Sequence, residues 1–473
     1  MKITGLTSFT LRLTRARFAA REGESLLYLA STLAFVVCSG LAFTVAGGTW
    51  MFHQRSEHPR GIHAELVQAD PIYDVILSSY VGLAALACAL LVPAMVSLAG
   101  AAAVLGARGR ERRMSALRLL GLSSQDVTRM ILTDTLVQAT IGVVVGYLVY
   151  LLTLPAWSAL TLQGMAIDPS EMVLPWWLSL AVAVTTVVIG VLASWWGMRR
   201  VRISPLGVAR RVSPPGVRWW RPVAFVAMVG VAYLVTSMVK PDGELMPWFI
   251  MGGALLLLVA GMNLVGPWIL QVVCAALARV PSPTVLWAAR RVQAAPRSTW
   301  QRVAGLGLMA FIGSYVAMMP LPTEQPEGLD PAQQFEVASG WDFTKGAAIT
   351  LGVGLLLAAT SSYITQASAV FERAEQTRAL HPMGSSTGFL RRVSWVEVFG
   401  PLTLALALGT GLGMMIARPM AGAAQDHGYE FSGTGPMVIG SVMLLGLALT
   451  AIALLATNPL QSQVLADQRR RAD

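Results

Sequence analysis

Three histidines, His53, His58 and His63, share a short stretch with Glu57, Glu65 and Asp70, residue types that can ligate a metal. Steps of five place successive imidazoles about 140° apart on a helix rather than on one face, so the stretch reads as an ordinary solvated loop. A second stretch, Leu321 to Asp342, holds Glu324, Glu327, Asp330, Glu336 and Asp342 with no basic residue. Its charge could attract a cationic peptide or drug, and ordinary depletion of positive charge on one side of a membrane explains it equally well. No Gly-x-x-x-x-Gly-Lys-Ser/Thr occurs, so the chain offers no loop to cradle the phosphates of ATP. Cys38, Cys88 and Cys274 fall in apolar stretches and read as packing residues, not as a disulfide framework or a thiolate metal site. A polytopic enzyme acting on lipid carriers would need acidic or histidine clusters in a catalytic spacing, and none is present.

These groups sit on a chain built for lipid. Of its 473 residues 55% are hydrophobic and 13% charged, with a mean hydropathy of +0.60, whereas a soluble domain carries about 25% charged residues. Water-soluble enzymes and disordered chains are excluded, because so much apolar surface cannot stay hydrated. The net charge of +10 does not mark a nucleic-acid binder, since the basic residues form no single patch.

A spanning helix needs about 20 mostly apolar residues. Ten segments qualify: Ser25 to Trp50, Tyr73 to Leu105, Met130 to Leu162, Trp176 to Met198, Pro222 to Val239, Pro247 to Leu277, Val303 to Pro320, Gly346 to Val370, Ser394 to Ile416 and Pro436 to Thr457. The six segments that include the termini carry 30 of the 35 Lys and Arg, and the five alternating loops carry the other five. The positive-inside rule therefore puts both termini in the cytoplasm. Ser25 to Trp50 is too long for the apolar core of a signal peptide and reads as an uncleaved span. No span centre holds Asp, Glu, Lys or Arg, which argues against a proton-driven carrier. Asp134 and Glu397 lie near the cytoplasmic ends, and Asn263 is the most polar deep residue. Trp176, Trp177, Trp219 and Trp220 read as interfacial anchors. Gly305, Gly307 and Gly313 read as sites of close helix contact or bending.

The chain also repeats itself. Gly384 follows Gly121 by 263 residues, and the same offset carries Ala116 to Ala379, Leu117 to Leu380, Ser123 to Ser386, Arg129 to Arg392 and Asp134 to Glu397 without a gap. In the following helix the small pair Gly142 and Gly146, which lets helix backbones approach closely, falls on Ala405 and Gly409. Ser204-Pro205-Leu206 is echoed by Asn458-Pro459-Leu460, and Leu11 to Arg21 by Leu286 to Arg302. The expected fold is an all-α integral membrane protein of about ten transmembrane helices, arranged four plus two plus four. A first four-helix module would occupy residues 1–212, an inserted two-helix hairpin 213–281, and a second, parallel module 282–473.

The string Arg110-Glu-Arg112-Arg113-Met-Ser-Ala-Leu117-Arg118-Leu-Leu120-Gly121-Leu-Ser123-Ser, followed by a hydrophobic helix with an acid near its start, resembles the FtsX-like permease family, the membrane subunits of MacB, LolCDE and BceAB-type ABC systems. So does Leu286-Trp-Ala-Ala-Arg-Arg-Val-Gln-Ala-Ala-Pro296-Arg-Ser-Thr, which is similar to the helix that leads into a module of that family. The second loop departs from the pattern, with His381 and Pro382 where an Arg and a small residue are usual.

The resemblance implies two ATPase-coupling loops, one with Arg112, Arg113, Leu117, Arg118, Leu120, Gly121 and Ser123, the other with Arg378, Leu380, His381, Gly384 and Ser386. They would dock on a separate cytoplasmic ABC ATPase, a dimer per permease chain, which holds the ATP and Mg. The chain itself would carry no cofactor, metal or catalytic residue and would not be an enzyme. Gly142, Gly146, Ala405 and Gly409 would serve helix packing. Read without the resemblance, Gly121 can end one helix and Ser123 cap the next. A lone basic loop is usually just solvated; two copies with matching Gly, Ser, Arg and acid positions favour docking.

The ten-span layout is similar to the BceB type, yet Leu321 to Lys345 and Met51 to Pro71 leave no room for the large extracellular domain of such relatives. The function implied is a permease in a bacterial plasma membrane that exports or extracts a hydrophobic substrate, a lipid, lipopeptide or peptide antibiotic, as in efflux and antibiotic resistance. The alternative is a non-transporting mechanotransmission subunit that regulates an extracellular enzyme or sensor kinase. Partners would be the ATPase, the lipid bilayer and, in some arrangements, a lipoprotein, an extracellular enzyme or a sensor kinase, with no nucleic acid.

Overall fold

Once out of water, a long apolar segment satisfies its backbone only by coiling on itself, and the structure follows that rule almost throughout. The computed structural model describes residues 24–108, 124–201, 218–238, 245–318, 331–372, 387–426 and 435–456. The helices, in chain order, are α1 (Glu24–Glu57), α2 (Ile62–Ala69), α3 (Ile72–Arg108), α4 (Ser124–Thr153), α5 (Trp176–Val201), α6 (Trp220–Met238), α7 (Leu245–Leu277), α8 (Pro283–Ala294), α9 (Pro296–Ala317), α10 (Pro331–Glu372), α11 (Thr387–Asp426) and α12 (Gly435–Ala456). The exception is a short ribbon between α4 and α5, in which β1 (Thr161–Leu162) pairs antiparallel with β2 (Met165–Ala166).

Among the described residues nine helices are long and apolar enough to cross a membrane: α1, α3 to α7, and α10 to α12. The protein is a multi-pass, helical membrane protein. The expected span Val303 to Pro320 forms as α9 but begins earlier, at Pro296, and is not among the nine. Arg297, Gln301 and Arg302 in its first turns dilute its apolarity, while its remainder is enclosed, with Leu306, Met309 and Phe311 at most 2% exposed. A helix wrapped by other helices has no need of the hydropathy of a lipid-facing one.

Two stretches expected as loops are largely helical. α1 runs on to Glu57 and α2 follows, so most of 51–71 is ordered secondary structure, and α10 starts at Pro331, within the stretch expected to be a loop. Helix α10 has 42 residues, about 63 Å at 1.5 Å per residue, twice the hydrocarbon thickness. Pro93, Pro267, Pro401 and Pro419 lie inside helices, which bundles in lipid tolerate because neighbouring groups satisfy the freed carbonyls.

The chain forms two compact units. The first comprises Met1–Met51, Val92–Ser158 and Asp168–Arg211. Its packing centre is Phe35 of α1, fully buried, which reaches glycine faces at Gly142 of α4 and Gly190 of α5. Phe43 of α1 stacks on Tyr150 of α4, with ring centroids 5.9 Å apart, and Tyr150 donates its hydroxyl to the Met172 carbonyl.

The second unit comprises Phe52–Leu91, Ala159–Ile167 and Val212–Asp473. Here α9 lies at the centre of a core drawn from α6 to α12. α7 belongs to this core through Trp300: its ring covers Gly266, and its indole N–H donates to Asn263 at 3.1 Å. Asn263 in turn donates to the Val259 carbonyl, so the most polar deep residue expected from the sequence is hydrogen-bonded through both its amide oxygen and its amide nitrogen. A single residue, Ala295, closes α8 and opens α9.

Candidate functional site

The coupling residues expected from the sequence, Arg112, Arg113, Leu117, Arg118, Leu120, Gly121, Ser123, Arg378, Leu380, His381, Gly384 and Ser386, lie outside the described residues. What the structure does describe is the helix that follows each of these stretches and the helix it packs on.

In the first unit α4 leaves the first loop and packs on α1. Gly146 sits against the backbone of α1, where a methyl group would fall on Ser39 Oγ and within 2.8 Å of the Val36 carbonyl oxygen and 2.9 Å of the Gly40 nitrogen. Gly142, one turn back, meets Phe35. The closeness is used: Ser39 Oγ, besides its bonds within α1, donates to the Gly142 carbonyl at 3.0 Å, and Ser31 donates to Gln138 at 2.9 Å. Both bonds are polar ties between helices, and interhelical ties of this kind together with packing hold helices together where lipid supplies no hydrophobic drive.

In the second unit α11 leaves the second loop and packs on α9. A methyl group on Gly409 would overlap the Gly307 carbonyl and come within 3.1 Å of the Phe311 nitrogen, while one on Gly307 would come within 3.0 Å of the Ala405 carbonyl oxygen. Gly307 and Phe311 lie 271 residues after Val36 and Gly40, the residues beneath Gly146, and Gly409 lies 263 after Gly146. The two helix pairs therefore share one register. The correspondence continues a turn further, where the Phe43 and Tyr150 pair of the first unit is matched in position by Ser314 and Gly413, also in contact. The sequence offset pointed to α4 and α11; the partner faces on α1 and α9, a few residues further apart, were not visible from it.

The acids at the start of these helices are both buried, Asp134 at 2% exposure and Glu397 at 3%. Each carboxylate oxygen of Glu397 faces its own guanidinium, Arg291 of α8 at 3.7 Å and Arg302 of α9 at 3.8 Å. Around it, Arg291 lies over the Trp287 ring, and Trp287 meets Phe389 edge to face at 6.2 Å. The amphipathic α8 is thus fixed to the first turns of α11, directly after the second loop.

At the end of the second unit remote from these arginines, the expected wet loop proves to be a polar cluster. Helix α2, the start of α3 and the start of α10 share a small apolar core of Leu66, Tyr73, Leu77 and Phe335. His63, 1% exposed, is hydrogen-bonded through Nε2 to the Gln163 carbonyl at 2.7 Å. Gln163 has φ of 58°, unusual for a residue with a Cβ, and its backbone N–H donates to Asp342. Asp342 also accepts from Tyr80 at 3.2 Å and from Lys345 at 3.0 Å, and Lys345 donates to the Thr161 carbonyl at 2.7 Å. Arg55 donates to the carbonyls of Leu162 and Ala166 at 2.9 and 3.1 Å.

The solvated-loop expectation for His63 is therefore corrected: its ring lies within the cluster, beside Phe335, while His53 and His58 remain exposed. Among the described residues no group of three or more His, Cys, Asp or Glu could hold a metal ion. Asp342, expected among the acids available to a cationic ligand, is turned inward and taken. The three cysteines are free thiols, Cys38 and Cys274 buried.

Residues 85–206, about a quarter of the chain, match the family described as FtsX-like permease C-terminal. The matched stretch runs from within α3, through the first basic loop and α4, to the Ser204-Pro205-Leu206 sequence beyond α5. No curated protein matches the chain.

Proposed function

We propose that the chain is the transmembrane permease subunit of an ABC transporter, coupling ATP hydrolysis by a separate cytoplasmic ATPase to export or extraction of a hydrophobic substrate such as a lipid, lipopeptide or peptide antibiotic. The observation that carries this reading is the FtsX-like match over residues 85–206, which contains the arginine-flanked loop together with the helices on either side of it. The shared register of α1 with α4 and of α9 with α11 supports a second copy of that unit, hence two coupling loops, one for each subunit of an ATPase dimer.

On this reading ten helices cross a bacterial plasma membrane in a four plus two plus four order, α9 among them, with both termini in the cytoplasm. Nucleotide-driven closure of the ATPase pushes the two loops. α4 and α11 receive the push directly, and their glycine-lined contacts pass it on without side chains to deform between the backbones. The Glu397 clamp brings α8 along with α11. Much of the apolar surface of α4, α5 and α6 is exposed, including Leu148, Leu152, Leu180 and Val226, which suits a substrate that arrives through the bilayer.

The test is co-purification with the cognate ATPase. Joint replacement of Leu120-Gly121 and Leu380-His381 is expected to abolish the complex, and replacing one pair alone to halve the ATPase bound. Full stoichiometry with both pairs replaced refutes the coupling assignment. In vesicles of the intact complex, ATP-dependent movement of substrate without any further protein supports transport; ATP turnover without movement favours the mechanotransmission alternative.

A further inference from the structure

The segments that lead into α6 and α9 are one-sided in charge. Residues 199–221 and 278–302 together hold twelve arginines and no Asp or Glu. Glu397 engages two of them, Arg291 and Arg302. Arg218, Arg221 and Arg297 make no ion pair among the described residues. Arg221 is the notable one: it is 9% exposed, and its Nε has no hydrogen-bond partner. A guanidinium does not shed its proton, so this is a buried positive charge with no anion against it among the described residues.

The packing explains why the three arginines meet. Arg221 lies one turn before Phe225, which packs on Gly261 of α7. Just over one turn along α7, Gly266 lies under Trp300, and Arg297 precedes Trp300 by nearly one turn. α6 and α9 therefore bring their first turns to the same end of α7, and Arg218 and Arg297 are close enough to Arg221 to repel it. Both helices begin here, and neither has an acid in its first turn. Two helix N-termini, each with partial positive charge and free N–H groups, thus add to three like charges. Trp219 and Trp220, 78% and 42% exposed, flank the place, as indoles do at the level of lipid headgroups.

We infer that Arg218, Arg221 and Arg297, at the converging N-terminal ends of α6 and α9, form a binding site for the phosphate of an anionic phospholipid headgroup. The guanidinium fork of Arg221 matches a phosphate oxygen pair, the helix ends offer N–H donors, and basic pockets between spanning helices take headgroups in this way. The lipid would lie where the α6 and α7 pair joins the α9 core. The inference requires a membrane but not the ATPase reading, and it stands or falls separately.

The experiment uses the full chain in phosphatidylcholine nanodiscs carrying a trace of spin-labelled phosphatidylglycerol or spin-labelled phosphatidylcholine, with the motionally restricted fraction read by electron paramagnetic resonance. Phosphatidylglycerol is expected to be preferred about ten-fold or more, and Arg221→Gln and Arg297→Gln each to reduce that preference about five-fold, the worth of one arginine near a headgroup. Arg221→Lys, which keeps the charge, retains part of it. Arg60→Gln, between α1 and α2, leaves it unchanged. Arg297 is exposed, so its variant tests the site even if Arg221→Gln does not fold. No preference in the native chain, or a preference that survives both Gln variants, overturns the proposal. Inorganic phosphate is added in a parallel arm: if it displaces the restricted phosphatidylglycerol from the native chain at millimolar concentration, the site takes free phosphate and the lipid assignment fails.

Discussion

Replacing Gly146 by alanine tests the claim that α1 and α4 touch through their backbones. A methyl group there would lie on Ser39 Oγ and within 3 Å of two backbone atoms of α1, so α4 must move away or Ser39 must swing out of its bond to the Gly142 carbonyl. Overpacking of this kind costs about 1–3 kcal/mol, and an interhelical hydrogen bond in lipid is worth roughly 0.6 kcal/mol more. Against this, alanine exceeds glycine in helix propensity by up to ~1 kcal/mol. The net loss is about 1–2 kcal/mol, roughly five- to thirty-fold in the folded ratio. Gly409→Ala is expected to behave alike, since its methyl would overlap the Gly307 carbonyl. Gly352→Ala and Gly440→Ala, with nothing within 4 Å of the added carbon, give the propensity gain alone. Denaturant titration in mild detergent, read by tryptophan fluorescence, measures all four. Ser39→Ala should rescue part of the Gly146→Ala loss, because it removes the atom the methyl strikes. If Gly146→Ala and Gly409→Ala are as stable as the unaltered chain, the contacts are looser than described and the reasoning fails.

Three further outcomes follow from the polar groups. Asp342→Ala leaves the Gln163 N–H, Tyr80 and Lys345 without their shared acceptor; a loss of roughly 3 kcal/mol and at least ten-fold faster hydrogen exchange at the Gln163 amide are expected, and unchanged exchange refutes the cluster. Glu397→Gln leaves two partly buried arginines without a carboxylate, at a cost of roughly 2 kcal/mol, and the exchange Glu397→Arg with Arg302→Glu should recover part of it; a melting point unmoved by Glu397→Gln contradicts the clamp. Zinc or nickel ions should leave the melting point unchanged, since His63 is committed to the Gln163 carbonyl; a metal-dependent rise abolished by His63→Ala shows the assignment of that ring to be mistaken.

The spanning helices were legible because each apolar run is longer than any other structure can satisfy in lipid. α9 was harder to delimit. Its apolar part begins at Val303, but Pro296 starts the helix and Trp300 fills the groove over Gly266, so about two turns of helix precede the hydropathy signal. The repeat was legible in α4 and α11 because their glycines must stay small, and less so in α1 and α9, where Gly146 and Gly409 meet backbone at the matched positions and the sequence is free to vary between Gly40 and Phe311. The cluster around Gln163 could not be read at all. Its members come from segments as distant as Arg55 and Lys345, each polar residue looks like loop decoration alone, and nothing in a Gln-Gly pair announces that a backbone N–H will meet a carboxylate of α10.

The junction at Ala295 has a mechanical consequence. With one residue serving as the end of α8 and the beginning of α9, the two rods share a hinge pin with no slack, and Glu397 grips both sides of it, through Arg291 and Arg302. Such a joint behaves as a bell crank: a tilt delivered to either arm must reappear in the other rather than dissipate in a slack connection, so the amphipathic arm and the enclosed arm move as one body.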